Sequence, residues 1–239
     1  MSANPTEVKQ KPNWLIEMLG STIGRKLMMA LTGLFLILFL VVHLAGNLQL
    51  LIPDEGRTFN EYAEFMGHNK LIQIVSILNF AFIILHIIVS IILTRYNRKA
   101  RPVAYAYNRS GANSSWASRN MIWLGMILLI FLVLHLINFW AKSKFGPIEE
   151  VVYEGRTYHD LYAIVKMEFA NPLIVGVYVL AMAGLAYHLL HGFQSAFQTF
   201  GVNHVKYTPI IKSVGLVFSI LVPLLFAAIP IVMYIQSLL

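Results

Sequence analysis

The sequence predicts an all-α integral membrane protein: a bundle of five transmembrane helices, with the N-terminus cytoplasmic and the C-terminus outside. Three observations predict it. The 239 residues are 58% hydrophobic and only 12% charged, with a mean hydropathy of +0.67, far from the composition of a soluble domain. Five apolar runs, roughly at 28–52, 71–94, 120–141, 172–196 and 209–237, are each long enough to cross a hydrocarbon core of about 30 Å. Charge then alternates from one loop to the next. Basic residues gather before span 1, between spans 2 and 3, and around Lys206 and Lys212. Asp54, Glu55, Glu61 and Glu64, then Glu149, Glu150, Glu154, Asp160 and Glu168, mark the intervening segments, so the positive-inside rule sets the orientation.

Each element follows from local signals. Lys9, Lys11, Arg25 and Lys26 precede span 1, and Pro53, which has no amide proton to continue a helix, closes it. The first 25 residues are polar and the first apolar run is a full span, which argues against a cleavable signal. Phe59, Tyr62, Phe65 and Met66 recur at helical spacing and predict a short amphipathic helix on the outer surface. Span 2 runs into Arg95, Arg98 and Lys99. The stretch 98–118, which includes Arg101 and Arg109 and is rich in Asn, Ser, Gly and Pro, reads as the long cytoplasmic loop before Arg119 and span 3. Tyr158, Leu161, Tyr162 and Val165 predict a second surface helix. Asn171-Pro172 and Thr208-Pro209 read as N-caps followed by a first-turn proline, opening spans 4 and 5, and Pro223 and Pro230 predict kinks in span 5. The spans leave little chain over, so residues 1–239 form one transmembrane domain.

Composition also excludes. The chain has no cysteine, so disulfides, thiolate metal sites and iron–sulfur ligation within it are ruled out. The net charge of +7 lies beside span ends, where it orients the chain and meets anionic lipid headgroups; no nucleic acid is implied.

Polar groups at membrane depth are costly and face a bundle interior that satisfies them. Five of the eight histidines fall inside spans: His43, His86, His135, His188 and His191. At about 1.5 Å per residue, His43 and His135, each about 15 residues from the cytoplasmic start of its span, sit about 22 Å deep. His86 and His188, about 8 residues before their cytoplasmic ends, sit about 12 Å deep. Two imidazole pairs, each drawn from two helices, at levels about 10 Å apart, suit bis-histidine ligation of two haems. Interhelical hydrogen bonding is the other role such histidines take. His191 points about 60° away from His188 around the helix and reads as a partner of a neighbouring helix or of the interface.

The stretches TGLFLILFLVVHL in span 1, ILHIIVSI in span 2, SRNMIWLGMILLIFLVLHLINFW in span 3 and HLLHGFQSAFQTFG in span 4 resemble a known family. It is the single-chain, five-helix diheme cytochrome b subunits of succinate:quinone oxidoreductase (succinate dehydrogenase, respiratory complex II) and quinol:fumarate reductase. The resemblance covers nearly the whole chain, and one ligand histidine on each of spans 1 to 4, with none on span 5, matches the family order. It implies that His43 and His135 are the axial ligands of the iron of an outer, distal haem b. It assigns His86 and His188 to an inner, proximal one. Gly192, four residues after His188, is then where a porphyrin plane approaches the backbone.

The resemblance further implies a bacterial cytoplasmic membrane and electron transport to a quinone, menaquinone in the single-chain diheme relatives. It implies a flavoprotein and an iron–sulfur subunit on the cytoplasmic face, with the dicarboxylate chemistry on the partner chain, and a dimer of such heterotrimers. Quinone reduction takes two electrons and two protons and needs proton donors beside an apolar pocket. Glu64 first, then Glu61 and His68, on or just after the outer amphipathic segment, are the candidates; a solvated helix face is the other reading. Arg25, Lys26, Arg95 and Arg119 stand where inner propionates or lipid headgroups need cations. His159 and His204 read as surface histidines. The same chain serves either succinate oxidation or fumarate reduction. A polytopic transporter with a histidine proton relay is the competing class; it predicts charged residues at membrane depth, and spans 1 to 4 have none in their interiors. A haem-free anchor is the third reading, and retention of all four candidate ligands counts against it.

Overall fold

The computed structural model describes residues 13–100 and 110–239. Among the described residues five helices are long and apolar enough to cross a membrane: span 1 (Thr22–Leu51), span 2 (Lys70–Lys99), span 3 (Met121–Phe145), span 4 (Pro172–Thr199) and span 5 (Thr208–Leu238). The all-α membrane bundle expected from the sequence is therefore what the chain forms. Lys9, Lys11, Arg101 and Arg109, with the rest of 101–109 in the expected loop at 98–118, lie outside the described residues.

Helix starts follow caps rather than hydropathy, which is why span 1 starts at Thr22 and span 2 at Lys70. Ser21 Oγ accepts the Gly24 N–H at 3.0 Å, and Asn69 Oδ1 accepts those of Leu71 and Ile72 at 3.0 and 3.3 Å, occupying amides that a helix start leaves without partners. Asn171 Oδ1 takes the Leu173 N–H at 2.9 Å ahead of Pro172, as expected. Thr208, expected to cap span 5, is instead its first residue; its hydroxyl donates to Asn203 Oδ1 and accepts the His204 N–H, both at 3.0 Å. Span 5 stays helical through Pro223 and Pro230.

The outside of the bundle is apolar, with Ile77 70% and Leu180 72% exposed, as lipid contact requires. Span 4 packs against spans 1, 3 and 5. Its contact with span 5 is close: a Cβ at Gly215 would come within 2.7 Å of the Phe193 ring, the small-residue contact that lets membrane helices approach.

Spans 1 and 3 start, and spans 2 and 4 finish, at what is here called the basic end, marked by Lys26, Arg95 and Arg119. At the opposite end lies a cap helix, Arg57–His68, the expected amphipathic segment. There the structure corrects one expectation. Tyr158 is not helical: residues Glu150–Tyr153 and Arg156–His159 pair as an antiparallel hairpin, Glu150 opposite His159, and the second surface helix is Leu161–Phe169. Glu154 and Gly155, both at positive φ, make the turn, and the alternation of Val152, Tyr153, Thr157 and Tyr158 has the two-residue period of a strand. Asn60, 1% exposed, ties the hairpin end together. Its Nδ2 donates to Tyr153 Oη at 3.2 Å and Asp160 Oδ1 at 3.0 Å, and its Oδ1 accepts the Tyr162 N–H at 2.9 Å.

Candidate functional site

The four histidines paired by depth meet in those pairs. The ring centres of His43 and His135 lie 5.8 Å apart with the planes crossed at 87°, and those of His86 and His188 lie 6.4 Å apart with the planes crossed at 62°. Metal–imidazole bonds of about 2 Å put two facing nitrogens about 4 Å apart, and the ring centres roughly 6 Å apart once the rings' own size is added. Both pairs have that spacing. Among the described residues no group of three or more His, Asp or Glu is placed to hold a bare metal ion. Two protein ligands per level are too few for such an ion, and the right number for an iron that brings four equatorial nitrogens of its own.

Neighbouring helices supply a ruler for depth. Thr32 bonds His86, and Tyr178 reaches His135. Thr32 lies eleven residues before His43 on span 1, and Tyr178 ten before His188 on span 4. Both rulers set the two levels about 15 Å apart, rather than the about 10 Å expected from the sequence. Counting from apolar-run ends carried an error because the ends of adjacent spans do not lie at one height.

A cavity of about 2170 Å³ opens between the spans and is lined by all five in-span histidines. That is more than twice the roughly 300–1,000 Å³ of a pocket for one small ligand. Among the described residues its only charged lining side chains are Lys26 at the basic end and Lys144 at the hairpin end, and no carboxylate lines it. Such a lining favours ligands that carry negative charge toward both ends. Gly192 and Gly125 both stand on its wall: a Cβ at Gly192 would meet nothing nearer than Met121 Cε at 3.8 Å, and at Gly125 nothing within 4 Å. The wall beside the histidines is open. Immediately after His135, span 3 widens into a π-helical segment, Leu136–Ala141, the kind of local widening that re-aims side chains at functional sites.

Second partners differ between the levels. Thr32 Oγ1 donates to Met28 O at 2.8 Å, so it accepts from His86 Nδ1–H at 3.0 Å; that tautomer leaves Nε2 bare as a metal ligand. Tyr178 Oη lies 3.4 Å from His135 Nδ1. At His43 the Asn47 amide Nδ2, which donates to His43 O at 2.7 Å, also lies 3.3 Å from Nδ1. An N–H donor there places the ring proton on Nε2, so ligation through Nε2 requires Asn47 to turn away. His188 Nδ1 is buried with no hydrogen-bond partner. His191 lines the cavity but its ring meets no other histidine ring among the described residues.

The residues assigned to quinone protonation lie at the hairpin end, on the far face of the cap helix. Phe59, Tyr62, Ala63, Met66 and Gly67 line the cavity, whereas Glu61, Glu64 and His68 do not. Burial lifts the Tyr62 hydroxyl above its ordinary pKa, so it stays protonated at neutral pH. Glu61 is held by Arg57 at 2.9 Å, and Arg57 also reaches Glu154 at 2.8 Å. Glu64 sits between His68 Nδ1 at 3.2 Å and His159 Nδ1 at 3.4 Å. His159, read from the sequence as a surface histidine, thus joins the cluster through the hairpin. At the basic end Arg25 lies over the Tyr96 ring at 5.8 Å and Arg119 bonds the Ser114 backbone. Thr32, Asn47 and Tyr178 escaped the sequence reading. Their signal is a polar residue one turn from one of the paired histidines, or ten to eleven residues from it toward the other level.

The chain matches no protein-family model, no curated protein and no solved structure.

Proposed function

We propose that this chain is the membrane-anchor cytochrome of a succinate:quinone oxidoreductase in a bacterial cytoplasmic membrane. The observation that supports it is two close histidine pairs, each drawn from two spans, at two levels of one cavity. Two haem b groups would supply a one-electron redox centre at each level. His86 and His188 grip the inner group, at the basic end and hence toward the cytoplasm under the positive-inside rule, and Thr32 holds His86 in its ligating tautomer. His43 and His135 grip the outer one. Lys26 and Lys144 balance propionate charge at the two ends, and Gly192 keeps the wall clear. Apolar side chains of the spans keep bulk water away, which strengthens each of these electrostatic contacts.

The inner face of the bundle receives the iron–sulfur subunit and, through it, the flavoprotein that carries the dicarboxylate chemistry; the whole assembles as a dimer of heterotrimers. The quinone, menaquinone by resemblance, lies under the cap helix. Glu64, flanked by His68 and His159, passes its protons to or from the outside, and Glu61 anchors Arg57. The same residues serve quinol:fumarate reduction, the opposite direction. A pyridine haemochrome assay on the purified chain tests the reading: two haems per chain are expected, one in His188→Ala and two in His191→Ala. A wild-type chain that takes up no haem refutes it.

A further inference from the structure

Among the polar side chains that line the cavity away from the histidine pairs, Asn79 stands out by its burial. Asn79 of span 2 is 7% exposed, lines the cavity, and leaves Oδ1 without a hydrogen-bond partner. A buried acceptor with no donor lowers stability, and at membrane depth no solvent relieves it. Asn79 lies seven residues from His86 toward the hairpin end, about 10 Å of the about 15 Å that separates the two levels. Helical side chains lean toward the helix N-terminus, which in span 2 is the hairpin end, so the amide is directed toward the outer half of the cavity. The next residue, Phe80, packs on Trp140 of span 3 with ring centres 5.6 Å apart, holding this turn in place.

Two further polar residues share the face. Ser76 and Gln73, three and six residues nearer the hairpin end, also line the cavity, and Gln73 Nε2 donates to Gly67 O of the cap helix at 2.8 Å. A lane of amide and hydroxyl groups therefore descends from under the cap helix to Asn79 along the span 2 wall of the cavity.

We infer that Asn79 is the hydrogen-bond partner of the quinone headgroup: Oδ1 accepts the hydroxyl proton of the quinol, and the amide N–H donates to the carbonyl of the quinone. This rests on the quinone reading of the same cavity. A haem propionic acid offers the same hydroxyl chemistry, and the experiment separates the two sources. Equilibrium dialysis of the purified chain against menadiol, a naphthoquinol without a prenyl tail, is run for wild type and Asn79→Leu, with the haemochrome count and thermal melting measured on the same samples. The expected result is about tenfold weaker menadiol binding by Asn79→Leu, the wild-type haem count, and a melting temperature that is equal or higher because the orphaned acceptor is gone. Asn79→Ala, which cannot overpack the site, carries the same expected loss if the leucine variant does not fold. Unchanged menadiol affinity overturns the inference, as does a wild type that binds no menadiol. Unchanged affinity with one haem lost assigns Asn79 to a propionate instead and also overturns it. A haem-free wild type that still shows the tenfold difference supports the Asn79 site while refuting the cytochrome reading.

Discussion

Replacing Thr32 by valine keeps the shape of the side chain and deletes its hydroxyl, and so tests the link from span 1 to the inner histidine pair. Thr32 Oγ1 stands 3.0 Å from His86 Nδ1. A neutral hydrogen bond of this kind contributes about 0.5–1.5 kcal/mol, and partners one step removed from a metal typically change its affinity about 10–100-fold. The bond draws the Nδ1 proton away from the ring and makes Nε2 a stronger donor, which would favour the oxidised state of a haem iron held there. Losing it weakens that donor and raises the midpoint potential. At 59 mV per tenfold for one electron, 0.5–1.5 kcal/mol corresponds to roughly 20–65 mV. Redox titration of the haem absorbance should therefore show one component of Thr32→Val moved up by roughly 20–65 mV, the other unmoved, and Thr32→Ser close to wild type. No shift refutes the reasoning, and so does a shift in the component that His43→Ala removes.

Two further outcomes concern the hairpin end. Asn60→Ala leaves the Tyr153 hydroxyl, Asp160 and the Tyr162 amide short of a partner, so it should cost about 2–3 kcal/mol and expose the hairpin to limited proteolysis; unchanged cleavage kinetics would count against Asn60 as the tie. Asp54 lies just ahead of the cap helix and accepts hydrogen bonds from its first turn. Burial pushes its carboxyl up, but hydrogen bonds from the Thr58 side chain and backbone and from the Gly56 N–H outweigh this and hold its pKa below the ordinary 3.8. A depressed carboxylate contributes stability above the unfolded value that is lost as pH falls through the folded one. Cap-helix protection in hydrogen exchange should therefore drop as the pH falls below 3.8, and Asp54→Asn should remove that dependence; equal pH profiles for the two would contradict it.

Most of the helical architecture was legible because bilayer thickness imposes one length on every apolar run. The histidine pairs were legible for a related reason: His43, His86, His135 and His188 lie on helices whose rise is constant, so depth could be counted. Their partners were not. Thr32 touches His86 and Tyr178 touches His135 across helix pairs whose relative height depends on packing, and the same offset explains why the separation of the levels was underestimated. The hairpin was lost because Tyr158 fits a helical spacing as well as an alternating one over so few residues. Glu64 was singled out from its place on the cap helix, but its two imidazole neighbours include His159, brought in from 95 residues away by strand pairing.

By itself the sequence determined how many times the chain crosses, where the polar exceptions lie, and which histidines share a depth, since all three depend only on residue type and helical rise. Tertiary structure alone decided which side chain meets which: the pairing of the imidazole rings, the tautomer imposed by Thr32, the cation at each end of the cavity and the orphaned amide of Asn79. Those depend on the rotation and height of one helix against another. Packing between spans sets both, and no property of a single span contains them.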